Sequence, residues 1–262
     1  MKENNVNEMA VVPTMYDRVQ IEEMELLIEQ EFGELCEGVF HEKVSEYVHV
    51  DTSVANDEEA DAKWFVTCGM GARTMESPFG DVRCELAAKV SDEVEPMSER
   101  SAMLASELAR IARFPFREHT WIGSGHTMNT HQEFRETFGY EYVAFADTGI
   151  EMPLSSFDEA VTVLKLVPLY EEEREWCVQN NTYAFLAALY EAYGEAMFFV
   201  DKRRDMFIPE MDEEEIERYN LMWALGLDGE SFDRLCNFLV EKEEENIEVT
   251  QEMVDEWLAQ HR

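Results

Sequence analysis

The sequence predicts an α+β fold: a mixed, largely antiparallel sheet packed with helices, followed by further helices at the C-terminal end. Three observations carry it. Segments at 47–54, 64–70, 82–90, 140–146 and 160–169 alternate with period two or run continuously apolar. Amphipathic helical stripes lie between and after them. The apolar content is 45% in 262 residues, ample for a packed core.

Taken in order, residues 1–13 read as a flexible lead-in ending at Pro13. Thr14 is placed to cap a helix whose Val19, Met24, Leu27 and Ile28 recur at helical spacing until Gly33 stops it. From Tyr47 the pattern changes: Val48, Val50 and Val54 face one way, and Tyr47, His49, Asp51 and Ser53 the other. Trp64 to Met70 is an apolar strand, and Val82 to Val90 alternates again, so three short-linked strands suggest an antiparallel meander. A helix is expected after Pro96 and Ser98, with Met103, Leu104, Leu108, Ile111 and Ala112 on its buried stripe and Pro115 ending it. An irregular stretch with Gly123 and Gly125 precedes two strands, 140–146 and 160–169. The second is apolar on both faces and therefore central. Phe185, Leu186, Leu189, Tyr190 and Tyr193 mark a helix that Gly194 ends, and Met197 to Val200 reads as a last short strand. Beyond Pro209 only helices are expected, at 213–225, 232–242 and 251–260, the last capped by Thr250. This divides the chain into the lead-in, an α/β domain at 14–205 and a helical extension at 206–262.

Charge narrows the function. Fifty-eight Asp and Glu against 21 Lys and Arg leave −37. Such a chain is a poor match for nucleic acid, whose phosphates require cations, and for anionic lipid. Residues 206–262 hold 17 acids and 4 bases, about twice the acidity per residue of the preceding part. An acidic surface keeps a protein soluble and also draws in basic proteins. The five cysteines are odd in number, widely spaced and without a C-x-x-C pair, unlike a disulfide framework or a thiolate zinc site. With no apolar leader and no spanning run, a cytoplasmic protein is expected.

Sites of chemistry are weakly marked. Gly69-Met70-Gly71-Ala72-Arg73-Thr74 has Thr where a dinucleotide loop needs its third Gly, and no Lys-Ser/Thr follows Gly123-Ser124-Gly125. His119, His126 and His131 share one loop-like stretch that could gather a metal, although loop histidines commonly bond backbone carbonyls. His49 beside Asp51 has the form of a catalytic dyad, or of an ordinary strand-surface pair. Glu171-Glu172-Glu173 suits a helix N-terminus, and Trp121 is either a core or a partner-contacting aromatic.

Four stretches then carry a resemblance. Phe114-Pro115-Phe116 followed by His119-Thr120-Trp121-Ile122-Gly123-Ser124-Gly125-His126-Thr127 resembles the hallmark of suppressor-of-fused-like domains. Trp64 to Met70, Val161 to Leu169 with Tyr170 and Glu171 to Glu173, and Phe198 through Asp201 and Arg204 are similar to that family's other segments, in the same order. The resemblance spans about residues 14–205. It implies an α/β sandwich without known catalysis. The eukaryotic founder binds a transcription-factor peptide between this domain and a second half, which the helical 206–262 does not resemble. Shorter, bacterial-looking members are linked to immunity against polymorphic toxins. No catalytic residues carry over. Trp121, Gly123, Gly125, His126 and Thr127 stand at motif positions; with His49, Asp51, Glu171, Glu172 and Glu173 they are the candidate partner-binding or motif residues.

The resulting expectation is a non-enzymatic, cofactor-free and metal-free protein-binding domain of immunity type that sequesters a basic partner such as a toxin domain. Two alternatives stand beside it: a hydrolase or metal-dependent enzyme centred on His49, Asp51, His119 and His126, and a scaffold pairing through the C-terminal helices.

Overall fold

The computed structural model describes residues 13–43, 45–78, 80–225, 229–244, 247, 249–250, 253–254 and 257–258; the expected lead-in lies almost wholly outside them. Thr14 is not a helix cap. Its N–H donates to the Tyr47 carbonyl (2.9 Å) and its carbonyl accepts from His49 (2.8 Å), joining the entering chain to residues 47–49. Asp17 caps instead, because its carboxylate accepts from the Gln20 N–H (3.0 Å) while the Gln20 side chain accepts from the Asp17 N–H (2.8 Å). Helix α1 (Arg18–Phe32) follows and ends at Gly33.

Strands β1 (Glu34–Phe40), β2 (Asp51–Asp57) and β3 (Ala62–Cys68) pair antiparallel in sequence order. The alternation expected from Tyr47 is real in burial, since Val48, Val50 and Val54 enter one cluster. The ladder nevertheless starts only at Asp51, because Val48 is drawn aside into bridges with Glu46 and Thr14. A 3-10 turn (Met70–Ala72) and the small hairpin of β4 (Met75–Ser77) and β5 (Gly80–Val82) lead to β6 (Cys84–Ser91).

Helix α2 (Glu99–Glu118) is capped by Ser98 and runs through Pro115, where it was expected to stop, to Glu118. Proline sits in the last turn, where its carbonyl accepts from the N–H groups of His119 and Thr120 and the left-handed His119 closes the helix. The stretch read as irregular contains β7 (Thr127–Asn129) and α3 (Gln132–Phe138). Next come β8 (Tyr142–Met152), β9 (Val161–Leu169), α4 (Glu171–Gln179) and α5 (Thr182–Tyr193). The expected strand at 197–200 is largely a 3-10 turn, Gly194–Phe198, with one bridge from Phe199 to Lys89. Helices α6 (Glu213–Leu225) and α7 (Gly229–Glu244) match the reading of the C-terminal part. Of the helix expected at 251–260, residues 253–254 and 257–258 are helical, and the others lie outside the described residues.

The main sheet has the order β1-β2-β3-β6-β9-β8-β7, antiparallel throughout except for the parallel pair β6–β9. Each face is covered. On one, Phe65, Leu86, Val90, Phe145 and Leu166 pack against Leu104, Leu108 and Ile111 of α2 and Phe134 of α3. On the other, Trp64, Val66, Val163 and Val167 meet Met24 and Ile28 of α1 and Phe185 and Leu189 of α5. Burial on both faces explains why β9 reads as a continuous apolar run. The C-terminal helices build a small core of their own from Phe232, Leu235, Trp257 and Leu258.

One buried acid ties the centre together. Glu85, fully buried in β6, accepts from the Tyr16 hydroxyl (2.9 Å), the Thr67 hydroxyl (2.5 Å) and the N–H groups of Gly69, Met70 and Gly71 (2.9, 3.3 and 2.9 Å). Burial pushes its pKa up and these donors oppose that push. Glu85→Gln replaces one carboxylate oxygen by an amide N–H₂, and on either side that group faces at least one backbone N–H, which can only donate. It is expected to cost at least about 3 kcal/mol in urea unfolding, against about 1 kcal/mol for Tyr16→Phe, which removes a single donor.

Candidate functional site

The hallmark stretch joins the end of α2 to β7 and is sewn to β8. The Gly125 N–H donates to the Phe145 carbonyl (2.8 Å), Phe145 donates back to the His126 carbonyl (3.0 Å), and Asp147 donates to Ser124 Oγ (3.1 Å). The Tyr183 hydroxyl of α5 donates to the Ser124 carbonyl (2.8 Å). Trp121 and His126 meet edge to face, with ring centroids 4.3 Å apart at 61°. Burial pulls the His126 pKa below its ordinary 6.5, opposed by a hydrogen bond to the Trp121 backbone. The glycines are spatial requirements. A Cβ on Gly123 would lie 2.3 Å from the Trp121 ring, and one on Gly125, whose φ is +78°, 2.6 Å from the Tyr183 ring. Thr127 opens β7 opposite Ala144. His119 and Thr120 are exposed at the rim of the loop.

His49 and Asp51 form a separate cluster. His49 Nε2 lies 3.1 Å from Asp51 Oδ1 and its Nδ1 2.5 Å from Ser45 Oγ, while His41 Nδ1 lies 2.9 Å from Asp51 Oδ2. Glu42 accepts from the Val50 N–H (3.1 Å) and from Arg113. This cluster borders a hollow of about 130 Å³ with Tyr16, Ile21 and Cys68. Tyr16 and Cys68 belong to the core beneath α1, whereas Trp121 packs against the core beneath α2. The structure thus places His49 and Asp51 together but sets His119 and His126 on the other side of the sheet. Among the described residues no group of three or more His, Cys, Asp or Glu is arranged to hold a metal ion. His131 stands exposed at the N-cap of α3.

The acidic trio divides by role. Glu171 and Glu172 are exposed at the start of α4, but Glu173 is fully buried. It receives both Arg204 guanidinium nitrogens and the N–H groups of Tyr170 (2.9 Å) and Phe207 (2.8 Å). A group the sequence left unremarked is Lys165, in the middle of β9. Its nearest marks are the ring faces of Trp64 and Phe198, at 4.8 and 5.2 Å, and it lines a cavity of about 550 Å³. The available signal was a lone cation inside the apolar run 161–169.

Two outcomes test the loop. Gly125→Ala should cost about 2–3 kcal/mol and Gly149→Ala about 1 kcal/mol, measured by chemical unfolding. The two glycines have nearly equal φ (+78° and +76°), but nothing lies within 4 Å of a Cβ at Gly149, so the difference isolates the Tyr183 contact. For His126, the unfolded chain takes up its proton first as pH falls below 6.5. Its contribution is therefore complete at neutral pH and lost on acidification. An NMR titration should place His126 below 6.5, and the stability difference between pH 7.5 and 5 should shrink in His126→Gln.

The profile of the family described as suppressor of fused protein (SUFU) matches residues 46–205, more than half of the chain. No curated protein matches it. Among solved structures, one of a Sufu–Fu complex is 10% identical with a TM-score of 0.51, covering 74% of this chain and 93% of that one. A SUFU homologue from Neisseria gonorrhoeae is 13% identical with a TM-score of 0.51, covering 75% and 98%. At these identities the structures speak for the fold alone, and the fold they share with this chain is the α+β sandwich described above. By the profile match over residues 46–205, the chain belongs to the suppressor-of-fused protein family.

Proposed function

We propose that this chain is a non-enzymatic binding domain of immunity type, which sequesters a basic protein such as a toxin domain. The observation that carries this reading is the charge of −37. Much of it is displayed: Glu171, Glu172 and Glu175 at the outer side of α4, and Asp212 to Glu215 with Glu217 on α6, are exposed. Tyr190, Met206, Ile208 and Leu221 lie exposed in the same part of the chain and supply apolar contact beside the acids. Family membership supports protein binding as the class of activity. The unit we assign to this work is the α/β domain at 14–205, and the acidic helices beyond it strengthen the attraction. Diffusing charges of opposite sign are steered together, and salt weakens that steering.

The test is co-purification with the product of the adjacent gene, followed by association kinetics. A complex is expected, with an on-rate that falls at least about tenfold between 50 mM and 500 mM salt. Failure of the two proteins to associate overturns the reading. An on-rate indifferent to salt removes its electrostatic part.

A further inference from the structure

Lys165 sits on the inner face of β9, beside Ala87 of β6 and Ala146 of β8 in the register of the sheet. Those methyl-sized neighbours leave the space above it unfilled, and α5 and the 194–198 turn wall that space with Leu186, Ala187, Met197 and Phe198. The result is the cavity of about 550 Å³, within the range of small-molecule sites. Lys165 is only 9% exposed, yet none of the described residues forms a hydrogen bond or ion pair with it; Trp64 and Phe198 offer ring faces alone. Burial pulls its pKa down; the charge of Glu195 opposes that pull and that of Lys89 adds to it. The Lys165 ammonium borders the cavity, and the ring faces contribute only about 0.5–2 kcal/mol.

The carboxylates on the same wall do not complete it. Glu195 lies 3.5 Å from Lys89, Glu191 accepts from the Tyr219 hydroxyl (2.8 Å), and Asp147 accepts from the Gly149 N–H (2.9 Å). Every acid lining the cavity has a partner, and the cation alone lacks one. Lys165 is thus the one charged group of this lining that has no hydrogen bond or ion pair with the described residues, and Leu186, Met197 and Phe198 supply apolar wall beside it. We propose that this cavity is a binding site for an aliphatic monocarboxylate, whose carboxylate pairs with Lys165 while its chain lies against Leu186, Met197, Phe198 and Met222. The site stands apart from capture of a basic protein, because the two ligands carry opposite charges, so either proposal can fail alone.

Calorimetric titration of the full chain tests this, with decanoate as probe and decyltrimethylammonium as a chain of equal length and opposite charge. Decanoate is expected to bind one to one and the cationic chain to bind at least about tenfold more weakly. Lys165→Met removes the charge and keeps most of the stem; Ala187→Phe keeps the charge and fills the space. Each is expected to weaken decanoate binding at least about tenfold, with thermal melting confirming that the variant is folded. The second variant keeps the question open to refutation if the first does not fold. The proposal is overturned if decanoate fails to bind at millimolar concentration, if the cationic chain binds as well, or if a folded variant binds decanoate undiminished.

Discussion

The five donors converging on the Glu85 carboxylate are the constraint from which the arrangement of the fold follows. Glu85 lies in the strand that joins the antiparallel half of the sheet to β9. Through Tyr16 it fixes the entering chain beside α1, and through Gly69, Met70 and Gly71 it fixes the turn that leaves β3. Arg83 extends the same node: it donates to the Gly71 carbonyl (2.7 Å) and lies 3.8 Å over the ring of Phe157. A carboxylate is the group that can accept from so many sides at once, and burial makes each of those bonds hard to exchange for water.

A second anchor stands where the family match ends. Glu173 holds Arg204, and Tyr140 and Tyr170 close around it: the Tyr170 hydroxyl donates to the Arg204 carbonyl (2.6 Å) and the Tyr140 hydroxyl to that of Lys202 (2.9 Å). The candidate residues of the 121–127 loop are largely spent on such work. Trp121, Gly123, Gly125 and His126 hold the loop to β8 and α5, and Glu173 holds the end of the domain. What remains turned outward is acidic, whereas the unmatched charge inside, Lys165, is basic.

Strands with a strong apolar signature were legible in the sequence: β2, β3, β6, β8 and β9 all lie within or across the segments read from it. The elements that were not legible are short or lie at the edge of the sheet. Strand β1 is an edge strand with exposed Glu34 and Glu37 and a register shift between Leu35 and Val39, so its alternation is blurred. Strand β7 and helix α3 span 3 and 7 residues, too short for a period to declare itself. Pro115 misled because the helix gives up one bond at the proline and still runs one more turn, the Pro115 carbonyl accepting from the N–H groups of His119 and Thr120. For the site, the resemblance singles out the loop residues from the sequence, but not their contacts. That Gly125 makes room for Tyr183, across 58 positions of chain, is a fact of tertiary packing. Lys165 escaped notice for a similar reason: its isolation depends on which neighbours already serve the nearby acids.

The lone parallel pair has a consequence for the order of assembly. Strands β1, β2, β3 and β6 neighbour one another in chain order, and so do β7, β8 and β9, but the two groups meet only through β6–β9. β6 ends at Ser91 and β9 begins at Val161. At a ribosomal pace of about 5–20 residues per second, the first group waits several seconds for its other half. During that interval the flank of β6 that will receive β9 is an open edge carrying a row of unbonded peptide groups. The polar insertions on that strand, Glu85 and Lys89, therefore sit on the part of the nascent sheet most exposed to premature pairing with another chain.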